Sequence, residues 1–296
     1  CRSRRKPAGK TWQRIGGPVL IRIVTDSSAG IPPDLCEALS ITVVPVPVHF
    51  GSTVFTGGVE EAGRFYELLS SEPPPTTSTP SPAEFEELYR SLSRGGEPVL
   101  SIHIMETKSG LINAARMAAA ALPAGAVTVV DSGSTSMGMG LQVLAAARAA
   151  RQGATLTELR QMVERLRERA ALFAAIPQLT QLRRSGRVSL SQSLVAGLLA
   201  IKPVLYVGQS RIDVVRTVRG WRQAVEQMVA LAEAGAGGRE VHLAVVHTNA
   251  EAAAHSLLQE IGGRFRCAEA LVAEAGPALA AHAGEGALGI ATLTLE

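Results

Sequence analysis

Aromatic side chains are scarce in this chain, making up 4% of its 296 residues. None interleaves a basic patch, so a nucleic-acid surface built from base-stacking rings and cations is poorly supported. A dominant charge is also missing. The formal net charge is +3, and Arg2, Arg4, Arg5, Lys6 and Lys10 supply much of the positive charge in the first ten residues. Residues 1–18 therefore read as a basic, flexible, solvated arm, and the remainder is close to neutral. Cysteine is limited to Cys1, Cys36 and Cys267, whose spacing fits neither a zinc site nor a redox pair. They are expected as free thiols in a reducing compartment. No run of eighteen apolar residues is present, and no hydrophobic signal core follows the arm, so a soluble cytoplasmic chain is expected.

What is abundant is aliphatic: 46% of the residues are hydrophobic, largely Ala, Val and Leu. The length allows two domains of ordinary size. Apolar runs at Val19–Val24, Pro98–Ile104 and Val127–Val130 read as buried strands, each followed by polar residues and then a helical pattern. Ile41–Phe50 reads as one further strand, placed at an edge or rim by Pro45 and Pro47. This alternation predicts an N-terminal α/β domain over residues 19–170, with a mostly parallel sheet covered by helices and a linking helix capped by Thr155 and Glu158. Residues 171–296 read as a second α/β domain with a mixed sheet. Its signals include a helix over Leu190–Ala200, a hairpin turning at Gly208-Gln209-Ser210, and a helix capped by Asn249.

The stretch Pro75-Thr76-Thr77-Ser78-Thr79-Pro80-Ser81-Pro82 is held extended by its prolines. Ser81, Pro82 and Glu84 then form a capping box for a helix carrying Phe85, Leu88, Tyr89 and Leu92 on one face. The cap does not use Thr77, Ser78 and Thr79, which are either turn hydroxyls or donors to something outside the chain.

Three enzyme-like patterns fail or weaken on context. Gly284, Gly286 and Gly289 spell a dinucleotide fingerprint with no room for a βαβ unit, and Gly9-Lys10-Thr11 lacks the preceding strand of a phosphate loop. Asp131, Ser136 and His282 could form a hydrolase triad, but Ser134 stands where a nucleophile elbow requires glycine. His282 lies among small residues, where its imidazole either caps a short helix or donates to an anionic oxygen.

Thr25-Asp26-Ser27-Ser28, Thr77-Ser78-Thr79-Pro80-Ser81, Ser109-Gly110, Val130-Asp131-Ser132 with Ser136 and Gly138, Ser185-Gly186-Arg187, Ile201 to Leu205, Val218-Arg219-Gly220 and His282 through Gly289 occur in an order that resembles the bacterial DegV family. The resemblance implies a non-catalytic protein, with no cofactor, that holds a long-chain fatty acid such as palmitate between two domains. It places Thr77 and His282 at the carboxylate, with Ser78 beside Thr77. Some members of the family act as the acyl-carrying subunit of an ATP-dependent fatty acid kinase. For such a partner, Arg187 and Arg219 are the implied contacts.

The sequence departs from the family pattern where a serine pair is usual: Met105 and Glu106 take those places, with Lys108 in the place of a leucine, and Glu285 stands where proline is common. Either Thr77 and His282 hold the head group alone, or the ligand is not a simple carboxylate; a further alternative is that Lys108 compensates Glu106 and the loop turns outward. Two alternatives remain open. One is a serine-type hydrolase or acyl transferase using Ser136 or Thr77 with His282, and the other is a relative that has lost lipid binding.

Overall fold

A computed structural model describes residues 20–56, 62–70, 74–178, 182–184, 186–188 and 201–295. In chain order the first half runs β1 (Arg22–Asp26), a 3-10 turn (Ser27–Ala29), α1 (Pro33–Leu39), β2 (Ile41–Val44), β3 (Val48–Phe50), β4 (Thr53–Phe55), α2 (Ala62–Leu69), β5 (Thr76–Thr77), α3 (Pro82–Leu92), β6 (Val99–His103), α4 (Leu111–Ala120), β7 (Val127–Asp131) and α5 (Met137–Arg151). It continues with α6 (Leu156–Leu166), β8 (Ala170–Ala175), β9 (Lys202–Gly208), β10 (Arg211–Val218), α7 (Trp221–Ala236), β11 (Glu240–His247), α8 (Glu251–Ile261), β12 (Arg266–Glu274), α9 (Pro277–Ala283) and β13 (Leu288–Thr294).

The alternation read from the sequence gives two main sheets. The first is fully parallel, in the order β2-β1-β6-β7. The second is mixed, in the order β10-β9-β8-β13-β11-β12, with β11 and β12 its parallel pair. The expected boundary between residues 170 and 171 falls inside β8. The basic arm, Gly57, Gly58, Ser185 and the expected helix over residues 190–200 lie outside the described residues.

One expected strand divides. Ile41–Phe50 becomes β2, at the edge of the parallel sheet, and β3, in a separate antiparallel sheet ordered β4-β3-β5. Pro45 and Pro47 stand between the two, and proline offers no N–H to a ladder, so the chain leaves one sheet there and enters another. Asn249 does not cap α8. It adopts φ 50°, its side chain donates to Glu285 at 2.6 Å, and Ala250 is the cap residue. The hairpin turn forms as expected, with Gln209 and Ser210 both left-handed at φ 49° and 61°, the twist that two-residue hairpin loops require.

The helices and sheets stack in layers. Helices α3 and α4 pack Phe85, Tyr89, Leu111 and Ala115 on the outer face of the parallel sheet. Helices α7 and α8 cover the outer face of the mixed sheet through Met228, Val229, Ala254 and Leu257. Between the sheets lies α5, buried along Met137–Leu144 and at Ala146 and Ala147. One core cluster runs from Ile23 and Leu100, through Met139 and Val143, to Leu172, Ala244 and Ala291, so both sheets pack on α5, and the buried Gln142 on it donates to the Ser132 and Gly138 carbonyls. Its small residues permit the close fit: a Cβ on Gly140 would stand 2.8 Å from the Ala29 carbonyl oxygen.

The few aromatics are concentrated where they brace the small sheet. Phe50, Phe55 and Phe65 form an edge-to-face triangle with ring centroids 5.6 to 5.7 Å apart. Ala278, Ala280 and Ala281 of α9 close this cluster, tying the late helix to the sheet that carries Thr77.

Candidate functional site

In the parallel sheet the chain passes from β1 to β2 on one side and then, by way of β3 to α3, crosses to β6 on the other side of β1, so the switch point lies between β1 and β6. Ligands of α/β sheets lie outside the strand ends at such a point. An apolar cavity opens there, enclosing ≈ 1130 Å³ of atom-free space with its mouth included.

Its two walls differ in origin and chemistry. One is a face of the mixed sheet: Leu172, Ala174 and Ile176 alternate on and beyond β8, with Val207 and Leu205 paired beside the first two. Ile212, Val246 and Leu288 extend that hydrocarbon surface. The opposite wall is made by the ends of the parallel strands, by β5 and by α9, and includes Ser28, Thr77, Met105, Lys108, Thr135, Ser136 and His282.

A buried polar network fixes the second wall. Asp26 is fully buried, and one of its carboxylate oxygens accepts from the Ser28 N–H at 3.1 Å and from the Ser28 hydroxyl. The other oxygen meets His103 Nδ1 at 3.0 Å and the Ile104 N–H at 3.1 Å. His103 Nε2 lies 2.7 Å from Ser101, which the Tyr89 hydroxyl reaches at 2.8 Å. Buried polar groups satisfied in this way hold the loops after β1 and β6 in one arrangement.

Thr77 lies on β5, opposite Val48, and lines the cavity. Ser78 does not: it is exposed, its N–H donates to the Pro47 carbonyl at 3.0 Å, and its hydroxyl pairs with His49 at 2.8 Å. Met105 is fully buried on the cavity wall. Glu106 turns away and pairs with Arg116 at 2.8 Å, while Lys108 lines the cavity. The loop therefore separates the two charges by pairing Glu106 with Arg116, and Lys108 does not compensate it. Glu285 is exposed and held by Asn249.

His282 stands in the last turn of α9 and lines the cavity. Burial first, and then the nearby Arg187 charge, push its pKa down to about 4, so the imidazole is neutral at pH 7 and can donate one N–H. Arg187 also lines the cavity, whereas Arg219 is exposed at the end of β10. Sequence reasoning did not assign Lys108 or His247 to the wall, whereas the polar end of β1 had marked the segment that carries Ser28. Lys108 and His247 are placed by tertiary contacts that periodicity does not report. Among the described residues there is no group of three or more His, Cys, Asp or Glu arranged to hold a metal.

Two packed sheets, with an apolar face of one set against a wall that bears polar side chains, define an α/β protein with an amphipathic cavity between them. The chain belongs to the DegV family, matching it over residues 20–295. A DegV domain-containing protein of Deinococcus radiodurans is 35% identical over 92% of this chain and 97% of its own length. One from Streptomyces coelicolor is 34% identical over 91% and 97%. Among solved structures, a DegV family protein from Thermus thermophilus, described as binding fatty acid, superposes with a TM-score of 0.85 at 32% identity, covering 93% of this chain and 99% of that one. DegV from Bacillus subtilis, described as a fatty acid binding protein, gives 0.83 at 27% identity, over 94% and 100%. No helix among the described residues is long and apolar enough to cross a membrane.

Proposed function

We propose that this protein binds a long-chain fatty acid in the cavity between its two sheets and carries or presents the acid without transforming it. The observation that carries this reading is the pairing of a hydrocarbon wall from β8, β9 and β10 with an opposing wall that bears the Thr77 hydroxyl and the neutral His282 imidazole. Burying about fourteen methylenes gains on the order of 11 kcal/mol gross at ~0.8 kcal/mol each, before ordering costs. Affinity thus comes from the tail, and the head group needs only orientation. Thr77 and His282 donate to the carboxylate, and Lys108 and Arg187 provide positive charge on the same cavity surface. The fatty-acid binding described for the Thermus relative supports the same assignment.

Arg219, exposed beside the second sheet, is the assigned contact for a partner that would act on the presented carboxylate, a fatty acid kinase subunit using ATP; Arg187 is the other. The Ser136 hydroxyl has no hydrogen-bonded base, which favours a carrier over an ester hydrolase. Mass spectrometry of an organic extract of the purified protein tests the reading. An intact fatty acid in stoichiometric amount is expected; an empty extract, with no uptake of added palmitate, would sink it. Turnover of acyl esters would point to the hydrolase instead.

A further inference from the structure

One residue of the apolar wall keeps open space above it. Ala174 stands on β8, which β9 and β13 flank on its two sides, so neither edge of the strand is exposed. The outer face of that strand is closed as well, because Phe173 and Ala175 pack with Met228 and Val229 of α7. Ala174 is nevertheless only partly buried, and it lines the cavity, so the surface it retains belongs to the cavity. Its neighbours on the same face retain little: Leu172, Ile176 and Leu205 are 5%, 2% and 4% exposed.

The cross-strand partner of Ala174 on β13 is Gly289, which also lines the cavity. Its backbone is not left-handed, so the chain path alone does not call for glycine there. A side chain would instead meet its neighbours: a Cβ on Gly289 would stand 3.1 Å from Leu172 Cδ1, 3.2 Å from the Phe173 carbonyl oxygen and 3.6 Å from Ala174 Cβ. Leu172 therefore leans over the glycine, onto β13, and leaves the space above Ala174 clear. Leu172 and Ile176 bound that space along β8, and Leu205 on β9 and Val246 on β11 bound it across the sheet. Ala174 and Gly289 thus floor a trough between larger, buried residues. Protein interiors are packed as densely as organic crystals, and atoms lining a void forgo dispersion contacts, so the trough suits the carbons of a ligand.

We propose that Ala174 is the specificity-determining contact for the hydrocarbon tail: the acyl chain lies in the trough over its Cβ, and the smallness of Ala174 and Gly289 sets how much bulk can pass. This assignment rests on the fatty-acid reading. Ala174, Gly289, Leu172, Ile176, Leu205 and Val246 bring no polar side chain to the trough, so it takes a polymethylene chain and offers nothing to a head group.

The test uses the full chain with palmitate and methyl palmitate as probes, each competing with a fluorescent fatty acid, together with the Tm of the ligand-free protein. Ala174→Val and Ala174→Leu fill the trough by steps. Each displaced methylene is worth about fourfold in affinity, so Ala174→Leu should weaken palmitate binding by about tenfold or more, and Ala174→Val by less. Methyl palmitate should lose in the same proportion, since the change lies at the tail and not at the head group. Without ligand, both variants should melt at or above the temperature of the unmodified chain, because the added carbons enter open space. A lower Tm in either variant, or failure to fold, would mean that Ala174 faces filled core, where added methylenes strain the packing, and overturns the proposal. Unchanged palmitate affinity in Ala174→Leu overturns it too, as does a loss confined to the acid, and each of these results leaves the fatty-acid reading intact. Failure of the unmodified chain to bind palmitate overturns both.

Discussion

His282 makes the clearest prediction at the scale of single residues, because its environment sets both its donor role and its response to acid. The unfolded chain has the ordinary imidazole pKa of 6.5, and burial beside Arg187 lowers the folded value to about 4. Between those values the unfolded chain binds a proton that the folded chain refuses. Stability is therefore full above pH 6.5 and falls as pH drops toward 4, by up to about 3 kcal/mol from this group. Urea unfolding of His282→Gln should show a flatter profile across that window, and an unchanged slope would remove the buried-imidazole assignment. Thr77→Ala should weaken palmitate binding by about fivefold or more through loss of one hydrogen bond to a charged oxygen, read by fluorescence displacement. Glu106→Ser, in contrast, should alter palmitate affinity by less than about twofold. Glu106 is half-exposed and tied to Arg116, and surface ion pairs contribute little.

At the scale of elements, the phenylalanine triangle links the two proposed donors, Thr77 and His282, which are far apart in the chain. Phe50 and Phe55 flank the turn of the small sheet, Phe65 comes from α2, and α9 lies against all three through its alanines. Phe65→Leu should cost on the order of 1–3 kcal/mol by leaving space in that cluster. It should also reduce palmitate affinity although Phe65 does not line the cavity, because Thr77 on β5 and His282 on α9 lose a common support. Calorimetric unfolding together with ligand titration checks both effects, and a loss of stability with binding intact would break the link. Much at this scale was legible in the sequence. Alternating apolar runs and caps located the strands of both sheets, and Ser81 and Thr155 head their helices with complete capping boxes. Less legible was which sheet a strand joins: Ile41–Phe50 is continuous in hydropathy, and the two prolines decide the split. Side-chain direction was the least legible. Ser78 and Glu106 sit beside wall residues in sequence, yet they are turned outward by His49 and Arg116, partners that only the folded chain brings near.

For the molecule as a whole, the sequence showed two α/β halves but not the helix they share. Periodicity reports how much of a helix is buried, and not whether one sheet or two does the burying. Since the core around α5 includes residues of both sheets, heating should give one calorimetric transition, not two. Palmitate at a hundred times its Kd should add about 2.7 kcal/mol to the unfolding free energy and raise Tm by roughly 4–5 °C. Two separate transitions, with only one responding to palmitate, would contradict that expectation.

The shared position of α5 also bears on how the chain can be divided. A fragment ending at Arg151 would keep every strand of the parallel sheet but expose the side of α5 that Leu172 and Ala291 normally cover. Such a piece would be expected to self-associate or precipitate, whereas mixing it with the complementary fragment during refolding should restore solubility. Successful cuts in this protein are thus to be sought in exposed turns away from α5, such as Gly237–Gly238, and not at the point where one sheet gives way to the next.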